Sequence, residues 1–253
     1  MSGYQTISVA GGDTATPVSL AKRIRFISQV CDLSKVKLLD CGCGAGEYVF
    51  TLRERYGTDA WGIEYLENKV RAAKTNPTYG HYIKWGDLEK LDEPNCAYDV
   101  ALLNEVLEHV PNEDKALREV HRVLRPGGKL IIFSPNRWFP FETHGVCLRG
   151  TSRRLSPAVP FIPYVPVGIG RFFLDYWARN YWPHELRRLV RQAGFTIETL
   201  AYIWQTFENI SGRQPLWIQK TRPLLRTIAA FFESTPGLRR FGVSQMIVAL
   251  RPQ

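Results

Sequence analysis

The chain has 253 residues, of which 45% are apolar and 23% are charged, and this composition is ordinary for a globular protein with a sizeable core. No run of eighteen apolar residues could span a membrane, and the first residues lack the basic and apolar stretches of a signal peptide. The net charge of +9 is concentrated in residues 149–191, which carry +6, and residues 213–240, which carry +5, so the rest of the chain is close to neutral.

Five cysteines, an odd number without the spacing of a small disulfide-rich domain, indicate reduced thiols and predict a cytoplasmic protein. Cys41-Gly-Cys43 has the spacing of a metal or redox motif. Its position inside a glycine turn favours the simpler interpretation, in which both side chains line a pocket.

The predicted elements begin after a polar arm at residues 1–17. Apolar residues spaced on one helical face predict a helix over 18–31. Strands and helices then alternate: strands at 36–40, 60–64, 81–85, 98–103 and 129–134, and helices at 46–56, 66–75 and 112–124. This alternation predicts an α/β fold with a Rossmann-like, mostly parallel sheet that has helices on both faces.

The alternation is interrupted twice, at residues 136–181 and 206–242. Between these insertions the pattern predicts a helix over 183–193 and a strand over 195–204. A last strand at 244–250, expected to be antiparallel, brings the sheet to seven strands. In the first insertion a proline recurs at every third position from Pro157 to Pro166, which suits polyproline II.

The second insertion contains a predicted amphipathic helix. Five large apolar residues fall on one helical face, and two arginines lie off it. The apolar residues are Leu224, Leu225, Ile228, Phe231 and Phe232, and the arginines are Arg222 and Arg226.

The first strand leads into a glycine-rich turn, Lys37-Leu-Leu-Asp-Cys-Gly-Cys-Gly-Ala-Gly46. Glycines at alternate positions let a ligand approach the backbone closely. The spacing differs from the dinucleotide motif G-x-G-x-x-G, and the carboxylate of Asp40 would repel a pyrophosphate. A ligand with a cationic end fits better. S-adenosylmethionine has an ammonium, a sulfonium and a ribose diol, and Glu64 follows one strand-helix-strand unit later.

With these residues the chain resembles the class I S-adenosylmethionine-dependent methyltransferases, clearly over residues 36–134 and more loosely over 182–251. The motif D-x-G-x-G-x-G is matched by Asp40-Cys-Gly-Cys-Gly-Ala-Gly46. Gly62-Ile-Glu64 resembles the strand end whose acid binds the ribose hydroxyls, and Gly86-Asp87-Leu88 resembles the adenine-binding turn. Asn104-Glu-Val-Leu-Glu-His-Val110 resembles the segment under the methionine part of the cofactor, and Arg125-Pro-Gly-Gly128 resembles the turn before the fifth strand.

The resemblance implies an enzyme that binds S-adenosylmethionine. It divides the chain into an N-terminal arm and helix at 1–35 and a methyltransferase domain at 36–253, whose two insertions form a cap over the acceptor site. The residues that it assigns to cofactor binding are Asp40, Gly42, Gly44, Glu64, Asp87, Leu88, Asn104 and Glu105.

Two segments, residues 105–110 and Phe133-Ser-Pro-Asn-Arg137, resemble the branch that contains ubiquinone-pathway O-methyltransferases. Members of that branch have an insertion after the fifth strand that is linked to membrane contact. The chain departs from them in its Trp138-Phe-Pro-Phe-Glu-Thr-His144 continuation, its regular prolines and its second insertion. These departures leave the identity of the acceptor open.

Two histidines are candidate catalytic residues. His109 is expected beside the transferred methyl group, where it could act as a general base, although it could equally orient a loop or cap a helix. His144 belongs to the cap, where a purely structural role is the alternative. Glu105, Glu108 and His109 offer donors for a divalent ion, but a local cluster of this kind is more often a cofactor contact, so no metal site is predicted. Tyr4, Arg23 and Arg25 could close over the cofactor from the N-terminal segment, but a position on the surface of the first helix is the simpler interpretation.

The insertions favour a hydrophobic, lipid-like acceptor taken from a membrane surface, because they combine aromatic residues with arginines. Peripheral membrane contact is expected through residues 155–177 and 222–240. A soluble aromatic compound or secondary metabolite is the alternative acceptor. Nucleic acid is less favoured, because the arginines alternate with prolines and large aliphatic residues. A non-catalytic activator subunit is also less favoured, and the oligomeric state stays open.

Overall fold

The computed structural model describes residues 17–156, 159–207 and 216–253, so residues 1–16 of the predicted arm lie outside the described part of the chain. The elements up to the first insertion are α1 (Pro17–Val30), β1 (Lys37–Cys41), α2 (Glu47–Tyr56), β2 (Asp59–Glu64), α3 (Glu67–Lys74), β3 (Ile83–Trp85), β4 (Tyr98–Asn104), α4 (Glu113–Val123) and β5 (Leu124–Pro135). The remaining elements are β6 (Val146–Leu148), α5 (Val167–Gly170), β7 (Leu174–Tyr176), α6 (Pro183–Gln192), β8 (Thr196–Ile203), α7 (Leu216–Ser234) and β9 (Ser244–Leu250).

Seven strands form the main sheet, in the order β3-β2-β1-β4-β5-β9-β8. The first five strands of the chain pair in parallel, and β9 runs antiparallel to both β5 and β8. The predicted fold class, including the antiparallel last strand, is therefore confirmed. The strand order reverses between β1 and β4, and ligands of open α/β sheets bind at the carboxyl ends of the strands at such a point.

Alternate residues of the central strands pack into two separate layers of the core. Leu38, Leu102 and Phe133 face the layer that contains residues of α1 and α2. Leu39 and Leu103, one position further along their strands, face the layer built with α4 and α6. This alternation follows from the two-residue period of a strand and buries both faces of the sheet between helices.

In residues 159–166, the described part of the proline-rich segment, the backbone does not form the expected polyproline II helix. Phe161 adopts a left-handed backbone conformation with φ of 67°, and residues Ile162–Tyr164 form a 3-10 turn. Backbone hydrogen bonds from Tyr164 to Phe161 and from Val165 to Ile162 close this turn, whereas a polyproline II helix has no internal hydrogen bonds. The buried side chain of Arg137 holds the turn in place by donating hydrogen bonds to the carbonyl oxygens of Pro163 and Val165.

The helix predicted in the second insertion is present as α7, but its apolar residues lie on two sides. Leu224, Ile228 and Phe231 are exposed, whereas Leu225 and Phe232 are half-buried. Arg226 is half-buried as well, and its Nε donates to the carbonyl oxygen of Thr206 over 2.8 Å.

The helix α7 is tied to α1, because Lys22 Nζ lies 2.8 Å from Glu233 Oε2. Within the described ranges, no helix combines the length and the apolar character that crossing a membrane requires. All five cysteines lie in these ranges, and none forms a disulfide.

Candidate active site

The glycine turn after β1 needs glycine for two different reasons. Gly42 has a φ of +80°, and a Cβ at this position would lie 2.5 Å from a methyl carbon of Val106, well inside van der Waals contact. Gly44, with a φ of +59°, has only Glu47 Oε2 near such a Cβ, at 3.9 Å. The turn is thus packed against the segment after β4 at Gly42 and leaves room beside the backbone at Gly44.

Glu64 is held against this turn by backbone amides. Its Oε2 accepts a hydrogen bond from the Gly44 amide at 2.9 Å, and its Oε1 accepts one from the Leu66 amide at 2.7 Å. A carboxylate oxygen can accept a second hydrogen bond. Glu64 is therefore fixed in orientation and retains the capacity to bind a ribose diol.

Asp40 is buried beneath the same turn, and its Oδ2 has no hydrogen-bond partner in the described part of the chain. Burial raises the pKa of this carboxyl to about 8, and the negative charges of Glu47 and Glu64 contribute to the rise. A buried carboxylate without a partner is stabilised by an adjacent cation. The site therefore fits a ligand with a cationic end.

The Gly86-Asp87-Leu88 turn follows β3 and reaches the end of β2. The Gly86 amide donates to the carbonyl oxygen of Glu64 over 3.1 Å, and the Glu89 amide donates to Asp87 Oδ1 over 2.8 Å. The side chain of Leu88 is buried in the core, which leaves its backbone as the group available to a ligand. The structure thus places the turn that is predicted to bind adenine next to Glu64, the carboxylate that is predicted to bind the ribose.

Asn104 and Glu105, at the end of β4, are both bound by Arg23. The Arg23 guanidinium donates to Asn104 Oδ1 and lies 2.7 Å from Glu105 Oε1. Its side chain is only 12% exposed, so the assignment of Arg23 to the helix surface was wrong. The helical pattern places Arg23 beside buried Ile24, but nothing local in the sequence identifies a partner 82 residues away.

The surroundings of Glu105 determine both its backbone conformation and the ionisation of its side chain. Its φ of 58° is unusual for a residue other than glycine, and such a conformation persists only where its surroundings enforce it. Burial would raise the pKa of Glu105, but the charges of Arg23 and His144 and a hydrogen bond from Ser244 outweigh it and hold the pKa below its usual range.

The two candidate catalytic histidines meet at this edge of the sheet. Their ring centroids are 5.3 Å apart, although His109 follows β4 and His144 belongs to the first insertion. Nε2 of His144 lies 3.5 Å from Glu105 Oε2 and 3.6 Å from Glu108 Oε1. Candidate ligand atoms of Glu108, His109 and His144 all lie within 4.8 Å of one another.

Burial and neighbouring charges alter the ionisation of this cluster. Burial, followed by the charge of Glu105, raises the pKa of Glu108 well above its usual range. Burial, followed by His144, lowers the pKa of His109 to about 4, so that this imidazole is neutral at pH 7. Glu108 was considered from the sequence only as a donor for a divalent ion and was not assigned to the site, although it directly precedes His109 in the same turn.

Asn136 joins the two insertions beside these strand ends. Its Nδ2 donates hydrogen bonds of 2.7 Å to the carbonyl oxygens of Arg240 and Gly242. The next residue but one, Trp138, packs its ring edge-on against the rings of Trp182 and Phe241. The insertions therefore contact each other at the carboxyl end of β5.

Part of the chain matches a known protein family. Residues 39–132 match the family described as a methyltransferase domain. A ubiquinone biosynthesis O-methyltransferase of Chromobacterium violaceum is 28% identical over 71% of this chain and 72% of its own length. The same enzyme from Coxiella burnetii is 28% identical over 46% of this chain and 51% of its own length. The norajmaline N-methyltransferase of Rauvolfia serpentina is 29% identical over 51% of this chain and 47% of its own length.

Solved structures show the same fold. An S-adenosylmethionine-dependent methyltransferase from Mesorhizobium loti superposes with a TM-score of 0.59 at 17% identity, over 91% of this chain and 98% of that one. A phosphoethanolamine N-methyltransferase of Haemonchus contortus, solved with S-adenosylmethionine, gives a TM-score of 0.60 at 16% identity, over 97% of this chain and 55% of that one. Together with the family match, these findings confirm the predicted fold, enzyme class and cofactor.

Proposed function

The chain is a class I S-adenosylmethionine-dependent methyltransferase, and we propose that it methylates an oxygen atom of a hydrophobic or lipid-like acceptor at a membrane surface. Relatives whose names include O-methyltransferase support oxygen as the methylated atom. The observation that carries the acceptor class is a set of exposed apolar side chains on the two insertions. We call it the cap surface; it comprises Val159, Phe161, Ile169, Phe172, Phe173, Leu224, Ile228, Phe231 and Leu238.

In this proposal the chain holds the cofactor by its three polar parts. Asp40 faces the cationic amino-acid end, Glu64 accepts hydrogen bonds from the ribose diol, and Asp87 binds the adenine amine. S-adenosylmethionine supplies a methyl group on a sulfonium, which is already activated for displacement. The protein therefore contributes mainly alignment, which can account for much of the rate acceleration of such a transfer.

The acceptor must also be made nucleophilic. A hydroxyl group loses its proton as its oxygen forms the new bond to carbon, so a group that helps to remove that proton accelerates the reaction. His109 and His144 lie together where the methionine part of the cofactor is expected, and we assign them to this step. Glu105, held by Arg23, keeps His144 in place by its negative charge.

The cap surface has the composition of a membrane-binding surface. Phe172 and Phe173 are 72% and 68% exposed, and exposed Arg171 directly precedes them. On α7, Leu224 and Phe231 are each 61% exposed. Apolar side chains of this size favour insertion between lipid head groups, and each basic residue near an anionic surface adds about 1 kcal/mol.

Vesicle flotation tests the membrane part of the proposal. The full chain is mixed with phosphatidylcholine vesicles with or without phosphatidylserine, and we expect flotation that increases with the anionic lipid. The double variant Arg171→Glu/Phe172→Ser should lose it. The control is Arg55→Glu/Tyr56→Ser, which makes the same change in charge and also removes an exposed aromatic ring, at the end of α2 and outside the insertions. Equal flotation of both variants, or none for the native chain, contradicts the proposal.

A labelling experiment tests the acceptor class. The protein is incubated with S-adenosylmethionine carrying a radioactive methyl group and with separate lipid, small-molecule, RNA and protein fractions of a cell extract. We expect label in the lipid fraction that mild base, which cleaves methyl esters but not ethers, does not release. Label only in the small-molecule fraction would favour a soluble metabolite, the acceptor class that the name of the norajmaline relative suggests. Label in RNA, or cofactor binding without any transfer, would contradict both.

A further inference from the structure

We propose that Arg154, in the first insertion, binds an anionic group that the methyl acceptor carries close to the hydroxyl group that is methylated. The acceptor is then an amphiphile, in which a carboxylate or phosphate accompanies the apolar part. The anion site follows from the described side chains by themselves, and only its assignment to the acceptor rests on the proposed function.

Arg154 lies next to the two candidate catalytic histidines. Its Nη2 is 3.5 Å from the carbonyl oxygen of His144, and its guanidinium carbon is 4.7 Å from the centre of the Trp177 ring. Trp177 also borders His109, because a hydrogen bond to its backbone opposes the fall in the pKa of that imidazole. The guanidinium and the ring on which it lies are therefore part of the same site as both histidines.

The backbone at Gly145, the residue after His144, makes room for the guanidinium. A Cβ at this position would lie 2.8 Å from Nη2 and 3.1 Å from Nε of Arg154, and the φ of Gly145 is +113°. The guanidinium is thus enclosed between the Gly145 backbone and the Trp177 ring. A planar group held in this way keeps its orientation and loses little conformational entropy when it binds a ligand.

No carboxylate in the described ranges neutralises Arg154. Its side chain forms no ion pair there, its Nε is buried without a hydrogen-bond partner, and its hydrogen bond to His144 is long. Other arginines that are withdrawn from solvent are satisfied: Arg23 and Arg53 each pair with a carboxylate, and Arg137 donates to two carbonyl oxygens. Arg154 therefore has the capacity to bind an anion that these ranges do not supply.

Two carboxylates close to His144 are engaged elsewhere. Glu142 Oε1 accepts a hydrogen bond from the His144 amide over 3.0 Å, and its Oε2 accepts one from Asn180 Nδ2 over 2.7 Å. Glu105 pairs with Arg23. Neither carboxylate is left to neutralise Arg154, whose positive charge favours an acceptor with a negative group.

A guanidinium suits the recognition of such a group. Its parallel N–H groups match two oxygens of a carboxylate or phosphate, and a stacked aromatic ring shields one of its faces from water. With its anionic group on Arg154, the acceptor has its hydroxyl oriented towards His109 and His144, and positioning of this kind contributes to the rate. The anionic group is not consumed, so the methylated product remains acidic.

Calorimetry with two simple probes tests the anion site. Octanoate and octanamide have the same chain and nearly the same shape but differ in charge, and each is titrated into the full chain saturated with S-adenosylhomocysteine. We expect the native chain to bind octanoate at least about tenfold more tightly than octanamide. Arg154→Gln should lose this preference, and Arg154→Lys, which keeps the charge but not the planar group, should keep part of it. Arg153→Gln removes the same charge at the adjacent exposed position and should behave like the native chain.

Circular dichroism and the affinity for S-adenosylhomocysteine verify that each variant is folded. Arg154→Met, which keeps an apolar stem against Trp177, replaces Arg154→Gln if the latter does not fold. Equal binding of the two probes by the native chain overturns the proposal. So does a variant of Arg154 that binds both probes more weakly by the same factor, because a purely structural role gives that result.

The labelling experiment separates this inference from the proposed function. The labelled lipids are passed over an anion-exchange column, and we expect the label in the acidic lipids. Label only in neutral lipids overturns the proposal for Arg154, while the proposed function stands. If the preference for octanoate depends on Arg154 but no lipid is labelled, the anion site stands and the proposed function fails.

Discussion

The buried carboxyl of Asp40 should make the affinity for S-adenosylmethionine depend on pH. Its pKa of about 8 means that in the free protein the carboxyl is protonated at neutral pH, whereas a cationic ligand binds the carboxylate. The ionised fraction rises from about 1% at pH 6 to about 24% at pH 7.5, so the apparent dissociation constant should fall by about 20-fold, or about 1.8 kcal/mol. Binding should release most of one proton.

The raised pKa of Asp40 makes the stability of the free protein change with pH in the opposite direction to its affinity for S-adenosylmethionine. Between the unfolded pKa of 3.8 and the folded pKa of about 8, the native protein retains a proton that the unfolded chain has lost. The free energy of unfolding of the free protein should therefore decrease as the pH rises through this range, while the affinity for the cofactor increases.

Calorimetry in two buffers with different ionisation enthalpies measures both the affinity and the released proton. Asp40→Asn removes the titrating group, so its affinity should be weaker than native at pH 7.5 and change little with pH. Asp59→Asn, at the opposite end of the neighbouring strand β2, is the matched control and should keep the native profile. A flat profile for the native chain, or the same slope in Asp40→Asn, would refute this account of Asp40.

Three further substitutions test the packing around the site. Gly42→Ala places a Cβ 2.5 Å from a neighbouring methyl carbon at a φ of +80°. The free energy of unfolding in urea should therefore fall by about 1–3 kcal/mol, and cofactor binding should weaken. Arg23→Met leaves the carboxylate of Glu105 buried without its partner and should cost about 3–5 kcal/mol in the same assay. Asn136→Ala removes two hydrogen bonds between the insertions and should cost about 2 kcal/mol or more and speed tryptic cleavage after Arg240.

Two of these changes have a matched control in the chain. Gly57→Ala has a similar φ of +65° but no atom near the new Cβ, so it isolates backbone strain from the contact at Gly42. Arg25→Met changes an exposed arginine on the same helix as Arg23 and should cost less than about 0.5 kcal/mol. Equal losses within either pair, or unchanged cleavage in Asn136→Ala, would contradict the corresponding prediction.

The sheet could be predicted because the residue patterns that define each strand lie within short stretches of the sequence. Alternating apolar residues such as Leu38 and Leu39 determine which face of a strand enters which layer, and the glycine turn marks where β1 ends. The residues assigned to the cofactor lie at these strand ends, so the order of elements was sufficient to bring Asp40 and Glu64 together.

What the sequence could not predict depends on contacts between distant segments. The three-residue proline period favoured polyproline II, but Phe161 adopts a left-handed conformation and the turn after it is held by hydrogen bonds from the distant side chain of Arg137. Arg23 has the spacing of an ordinary helix residue, and only the fold shows that it neutralises Glu105. The approach of His144 to Glu108 likewise depends on how the first insertion returns to the sheet.

His144 is the only member of its three-residue cluster that the first insertion contributes, since Glu108 and His109 follow β4 directly. Any opening of this insertion wide enough to admit a bulky molecule would withdraw His144 and leave the other two incomplete. Completion of the cluster therefore requires the first insertion to cover the carboxyl end of β4.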